Sequence, residues 1–180
     1  MNLPNKLTIA RVILVPVFII FYALHWYIPA VIVFLIASFT DYLDGHLARK
    51  YNLVSNFGKI MDPLADKVLV YAAFALLVES HLIPAWMLIV ILAREFTVAG
   101  MRTVAASEGI VIAAAMSGKI KTVLQMIAVP LLLLVPVFPS ATAIYHAVFI
   151  LAKIFLWASL IMTVYSGVEY VKNNIKVFRV

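Results

Sequence analysis

The chain has 180 residues, 66% of them hydrophobic and 12% charged, where soluble domains carry about 45–50% apolar and about 25% charged residues. It has no cysteine and a formal charge of +6, which excludes disulfides, zinc thiolates and thiol nucleophiles. Residues 12–40 and 122–152 contain no Asp, Glu, Lys or Arg, and each run exceeds the ~20 residues that cross a bilayer. Backbone polar groups in lipid must be satisfied within their own segment, so the expectation is an all-α, polytopic integral membrane protein.

The opening stretch MNLPNKLTIARVILVPVFIIFYAL has the basic start and apolar run of a signal peptide. The HWYIPA that follows lacks a small-residue cleavage site, so the stretch reads as a retained first span. Turn-forming and polar breaks at HWYIP, YNLVSN, ESHLIP, SEG and PVFPS then divide the chain into six spans, 7–27, 29–50, 58–78, 84–105, 118–138 and 141–170. There is room for one domain, 1–180, a six-helix transmembrane bundle with a polar cavity facing the cytoplasm.

Basic residues orient the bundle. Lys6 and Arg11 lie at span one, Arg49, Lys50, Lys59 and Lys67 flank the second connection, Arg94, Arg102, Lys119 and Lys121 flank the fourth, and Lys172, Lys176 and Arg179 follow span six. The alternate connections hold no Lys or Arg, with Lys153 left over. The positive-inside rule therefore places both termini in the cytoplasm of a multi-pass cell-membrane protein. The net charge reads as a topogenic and anionic-lipid signal, with no nucleic acid among the expected partners.

Asp41, Asp44, Asp62 and Asp66 are half of the eight acidic residues, crowded into 26 positions. On helices, Asp41, Asp44, Gly45 and Ala48 share one face, and Gly58, Asp62 and Asp66 share another. Two antiparallel helices can aim all four carboxylates at one point. Each acidic residue at mid-membrane costs about 2.5–3.5 kcal/mol on insertion scales, and neighbouring carboxylates repel. Capping is the bland alternative, which Asp62 before Pro63 allows. Divalent cations are the natural counter-ions: an all-oxygen set selects hard ions such as Mg²⁺ or Mn²⁺, and two ions balance four carboxylates.

The segments DYLDGHLAR (41–49) and GKIMDPLAD (58–66), separated by eight residues, match the signature of the CDP-alcohol phosphotransferases at every fixed position, and the six-span layout is similar to that family's membrane domain. The resemblance implies that Asp41, Asp44 and Asp62 ligate metal and that Asp66 is both ligand and general base. It also implies that a nucleotide pyrophosphate lies across the two ions. Gly45 and Ala48 would then let the nucleotide approach the backbone, although small residues also serve helix crossings. Arg49 would bind phosphate or merely mark the end of span two. Asn5, Thr8 and Ser55 resemble elements of the CDP-diacylglycerol site, which would also include Asp41 and Gly58; Asn5 and Thr8 are equally readable as helix caps.

The acceptor is read from other cations. AREF (93–96), then Gly100 to Arg102, then GKIKT (118–122), resemble the phosphatidylglycerophosphate synthase branch. Arg94, Arg102, Lys119 and Lys121 suit an acceptor bearing its own phosphate, with topogenic charge as the alternative, and Glu95 orients Arg94 or a neighbour. The implied reaction is transfer of the phosphatidyl group from CDP-diacylglycerol to glycerol 3-phosphate, giving phosphatidylglycerophosphate and CMP. Expected partners are these three molecules and membrane lipids, with room for a homodimer. Within the family, a cardiolipin, phosphatidylinositol-phosphate or phosphatidylserine synthase would keep the aspartates and change the acceptor pocket. Outside it, a divalent-cation transporter or a structural membrane subunit are the rivals. His46 is read as pointing off the aspartate face, and His25, His81 and His146 as interfacial.

Overall fold

A computed structural model describes the backbone of residues 3–50, 56–113 and 115–175, and the side chains of 8–40, 64–65, 67–113 and 115–175. The described residues contain helices and no strand: α1 (Leu3–Ala23), α2 (Tyr27–Lys50), α3 (Asn56–Glu79), α4 (Ala85–Ser107), α5 (Met116–Leu134), a 3-10 turn (Val135–Val137) and α6 (Ala143–Asn174). Each helix follows one of the six apolar stretches. Their ends differ modestly from the sequence reading: α1 begins at Leu3 and not at 7, and α6 continues to Asn174.

The turns between helices have specific causes. After α1, the His25 N–H bonds to the Tyr22 carbonyl (3.0 Å) and the Trp26 N–H to the Phe21 carbonyl (2.9 Å). After α3, His81 bonds to Val78 (3.0 Å) and Leu82 to Leu77 (3.0 Å); after α4, Gly109 bonds to Ala106 (3.1 Å) and Ile110 to Ala105 (2.8 Å). These paired bonds are Schellman endings, which need a left-handed residue, here His25 (φ 61°), His81 (φ 56°) and Gly109 (φ 75°). The apolar clasp that accompanies such endings is visible at α1, where the Phe21 and Trp26 rings lie 5.8 Å apart. His25 and His81, exposed at the connections, thus also set the direction of the chain.

Helices α1 and α2 pack as one pair and α5 and α6 as another, with α3 against α1 and α4 against α6. Phe18, Phe34, Phe74, Leu69, Leu77, Met87, Ile91, Leu132, Leu133 and Leu156 are fully enclosed between them. In α6, which packs on both α5 and α4, the small polar residues Ser159, Thr163 and Ser166 are buried, each bonded to a carbonyl of its own helix (2.7–3.2 Å). Small residues at such a crossing let helices approach closely where lipid removes the hydrophobic incentive to associate.

The outside is the apolar side. Ile13, Phe39, Ile89, Phe96, Ile154 and Ile161 all face outward. Met116–Val137 and Ala143–Asn174 are each long and apolar enough to cross a bilayer, and the stretches of α1 and α2 whose side chains are described, Thr8–Ala23 and Tyr27–Thr40, are apolar as well. An all-helical chain with apolar exteriors fits a membrane protein. The leftover cation is accounted for locally: Lys153 Nζ donates to the Leu82 carbonyl (2.5 Å) and lies 5.1 Å from the Phe149 ring centroid. It ties α6 to the α3–α4 turn.

Candidate active site

Asp41, Asp44, Gly45, Ala48 and Arg49 belong to the C-terminal half of α2; Gly58, Asp62 and Asp66 belong to the N-terminal half of α3. These are consecutive, mutually packed helices. The side chains of the four aspartates, His46 and Asn5 lie outside the described residues, as does Ser55 altogether. Helix boundaries nevertheless correct two readings. Asp62 and Pro63 are inside α3, which starts at Asn56, so Asp62 does not cap that helix. Asn5 and Thr8 are inside α1, which starts at Leu3, so neither caps it, and Thr8 is fully buried. The donor set on these two helices, four carboxylates and no thiol, is of the kind that holds hard divalent ions.

Arg11 reads from sequence as topogenic charge and as the end of the amino-terminal NKLTIAR element (5–11) that resembles part of the CDP-diacylglycerol site. Its side chain is fully enclosed, and Nε donates to the Ala37 carbonyl at 3.3 Å. Ala37 is one helical turn before Asp41 on α2, so this cation is built into the α1–α2 interface near the start of the aspartate segment.

The described side chains form a cavity of about 740 Å³ between α3, α4, α5 and α6. Arg94 and Arg102 on α4 and Lys119 and Lys121 on α5 all line it, together with Lys67 on α3 and Glu95. On α4 Arg94 falls within the buried stripe of Met87, Ile91, Val98, Met101 and Ala105, spaced at the three- and four-residue steps of one helix face, and the exposed Arg102 borders it. Glu95 is the hub. Its Oε1 accepts from Arg94 Nη1 (3.0 Å) and from Lys121 Nζ, and its Oε2 lies 3.8 Å from Lys67 Nζ. The Glu95, Arg94 and Lys121 side chains are 12%, 13% and 6% exposed, so these charges are largely withdrawn from water.

At the outer part of the wall, Arg102 Nε donates to the Tyr170 hydroxyl (3.2 Å), with its guanidinium 5.6 Å from the ring centroid. Ser117 donates to Glu169 Oε2, fastening the start of α5 to α6. Glycines make room for Arg94: a Cβ on Gly167 would fall 3.0 Å from Arg94 Cγ, and one on Gly118 would fall 3.1 Å from Arg94 Nη2. Among the described residues the cavity wall thus carries five cations and one carboxylate, an excess suited to an anion with more than one negative charge. Sequence reasoning had not singled out Lys67, Gln125, Tyr170 or Gly167 as wall or packing residues. A 3.6-residue reading of α5 from Lys121 reaches Gln125, but nothing local marks Gly167 as a neighbour of Arg94.

Residues 1–165 match the family model described as CDP-alcohol phosphatidyltransferase. The chain belongs to the CDP-alcohol phosphatidyltransferase family. Among curated members of that family, it is 47% identical to the CDP-diacylglycerol--glycerol-3-phosphate 3-phosphatidyltransferase of Bacillus subtilis, over 96% of this chain and 95% of the relative. It is 37% identical to the protein of the same name from Rickettsia felis, over 98% and 97% of the two chains. It is also 36% identical to a probable phosphatidylglycerophosphate synthase of Mycobacterium tuberculosis, over 97% of this chain and 82% of that one. The matched residues include the aspartate segments of α2 and α3, and the cationic cavity reaches α3 at Lys67.

Proposed function

We propose that this protein transfers the phosphatidyl group of CDP-diacylglycerol to glycerol 3-phosphate, giving phosphatidylglycerophosphate and CMP. The observation that carries the choice of acceptor is the cavity wall, where the described residues place five cations and one carboxylate, Glu95, in a chain that is 66% hydrophobic. Arg94 and Lys121 are largely withdrawn from water and share Glu95 as their carboxylate partner, and an acceptor carrying a phosphate dianion would balance the remaining positive charge of the wall. The names of the relatives agree with this acceptor.

In this reading residues 1–180 are one membrane domain that crosses the cell membrane six times, with both termini and the cavity mouth on the cytoplasmic side. Asp41, Asp44, Asp62 and Asp66 hold two Mg²⁺ or Mn²⁺ ions, which when bound neutralise the carboxylates and the substrate pyrophosphate. Gly45, Ala48 and Gly58 leave space for the nucleotide, with Asn5, Thr8, Arg49 and Ser55 contributing polar contacts to it. Arg94, Arg102, Lys119 and Lys121 bind the acceptor phosphate. Asp66 takes the proton of the acceptor's primary hydroxyl. That oxygen forms the new bond to the phosphorus bearing the diacylglycerol, and the bond from this phosphorus to the oxygen shared with CMP breaks, releasing CMP.

The experiment is a parallel assay of purified protein with CDP-diacylglycerol and labelled glycerol 3-phosphate, phosphatidylglycerol, serine and inositol phosphate. Label should enter lipid only from glycerol 3-phosphate, with one CMP released per product. Transfer to another acceptor would reassign the cavity, and divalent-ion uptake into vesicles without CMP release would replace the enzyme reading with a transporter.

A further inference from the structure

Gln125 follows Lys121 by one turn on the same face of α5 and lines the same cavity. Its side chain is buried, the residue being 4% exposed, and Nε2 has no hydrogen-bond partner among the described residues. The other neutral polar side chains on the wall are engaged. Thr103 donates to the Ala99 carbonyl (3.0 Å), Thr122 donates to the Gly118 carbonyl (3.0 Å), Tyr170 receives Arg102, and Tyr71 has an interaction of its own. Buried amides are nearly always paired, and an unpaired one at a cavity wall points to a ligand group.

The position of Gln125 says which group. Lys121 is gathered with Arg94 around Glu95, while Gln125 lies about 6 Å further along the helix axis, beside the apolar residues Val70 and Met126 of the same wall. An acceptor whose phosphate sits on the cations would carry its carbon chain past this point. A carboxamide both donates and accepts, which suits an alcohol better than a second charge. We propose that Gln125 is a specificity-determining residue that recognises the non-reacting hydroxyl of the phosphorylated polyol acceptor, the hydroxyl that is neither phosphorylated nor the attacking group. This rests on the acceptor assignment above and deepens it.

The test compares purified wild-type protein with Q125M, which keeps side-chain length without hydrogen bonding, and Q125L. Two acceptors are offered with CDP-diacylglycerol: glycerol 3-phosphate and 3-hydroxypropyl phosphate, which lacks only the middle hydroxyl. Wild type should favour glycerol 3-phosphate by about three- to tenfold in kcat/KM, the range expected of one neutral hydrogen bond. Q125M should use the two acceptors equally, with an unchanged KM for CDP-diacylglycerol. Its Tm without acceptor should be no lower than that of wild type, because Nε2 of the amide removed has no hydrogen-bond partner among the described residues. Retention of the wild-type preference in both variants, or equal loss for both acceptors, would overturn the assignment. No CMP release by wild type with either acceptor would overturn the acceptor reading itself, and this inference with it.

Discussion

Gly167 of α6 lies directly against Arg94 of α4, so close that a single added carbon on the glycine would sit 3.0 Å from Arg94 Cγ. That carbon is near the root of the arginine side chain, where a shift carries the guanidinium with it. Gly118 closes on the other end of the same side chain, where an added Cβ would fall 3.1 Å from Nη2. Arg94 therefore runs through a slot formed by two helices, and Glu95 takes its Nη1 at 3.0 Å.

Gly167→Ala should disturb the acceptor and leave the nucleotide alone. Moving Arg94 by a few tenths of an ångström weakens a charge-assisted contact whose full worth is about 1.5–3 kcal/mol, so the KM for glycerol 3-phosphate should rise about three- to tenfold and that for CDP-diacylglycerol should hold. Gly100→Ala is the control, since nothing lies within 4 Å of a Cβ built there. Steady-state kinetics with each substrate varied in turn decide it. Equal behaviour of the two alanine variants would mean that Arg94 has room to spare.

Glu95 makes a second prediction through charge. Glu95→Gln leaves Arg94, Lys121 and Lys67 facing one another without their shared anion. Breaking a buried pair by removing one partner costs about 3–5 kcal/mol, so the variant should melt well below wild type in detergent. Inorganic phosphate should raise its Tm more than it raises that of wild type, because an anion can take the vacated place. A variant as stable as wild type without phosphate would show that Glu95 is not the counter-ion the geometry implies.

The helices were legible because each begins and ends with chemistry visible in the sequence, such as Pro84 before α4 and Gly109 after it. The cationic set was legible because Arg94, Arg102, Lys119 and Lys121 interrupt otherwise apolar segments. Other features were hidden for physical reasons. His25 and His81 carry left-handed backbone that sequence habit assigns to glycine. Arg11 reads as surface charge until the packing of α1 on α2 encloses it. The Gly167–Arg94 fit depends on residues far apart in the chain, and no local pattern records it. The signature aspartates are the reverse case: their helices are described, their side chains are not, and their chemistry comes from sequence.

Lys119 and Arg102 test the outer part of the cavity. Both are exposed on its wall, so truncation should not disrupt the core. Lys119→Ala or Arg102→Ala removes a charge-assisted contact worth roughly 1.5–3 kcal/mol, and glycerol 3-phosphate affinity should fall by about one to two decades. Arg102→Ala also releases Tyr170, so Lys119→Ala is the cleaner measurement. CDP-diacylglycerol binding should change little. Equal losses for both substrates would point to misfolding and not to a phosphate site.

Metal dependence is the prediction drawn from the crowding of Asp41, Asp44, Asp62 and Asp66 on two packed helices. Chelation should abolish activity and lower Tm, and Mg²⁺ or Mn²⁺ should restore both. Asp41→Asn or Asp62→Asn should weaken metal binding. Ala48→Leu should leave metal binding intact and block the cytidine nucleotide by bulk. Full turnover in excess chelator would remove the metals from the scheme, and normal nucleotide binding by Ala48→Leu would remove the close-approach role of the small residues.

The base and the number of chemical steps can be tested together at Asp66. Asp66→Asn keeps an oxygen ligand of similar size but cannot accept the hydroxyl proton, so turnover should collapse by about two to four decades while nucleotide binding partly survives. Direct attack also means a single displacement. With a chiral phosphorus in CDP-diacylglycerol the product should show inverted configuration, and no phosphatidyl-enzyme should accumulate when acceptor is withheld. Retention, or a trapped adduct, would require two displacements and make a carboxylate the nucleophile. Because asparagine at this position would also alter a proposed metal ligand, metal content must be measured beside the rate. A variant that holds its full metal complement and turns over near the wild-type rate would show that the proton goes elsewhere than Asp66.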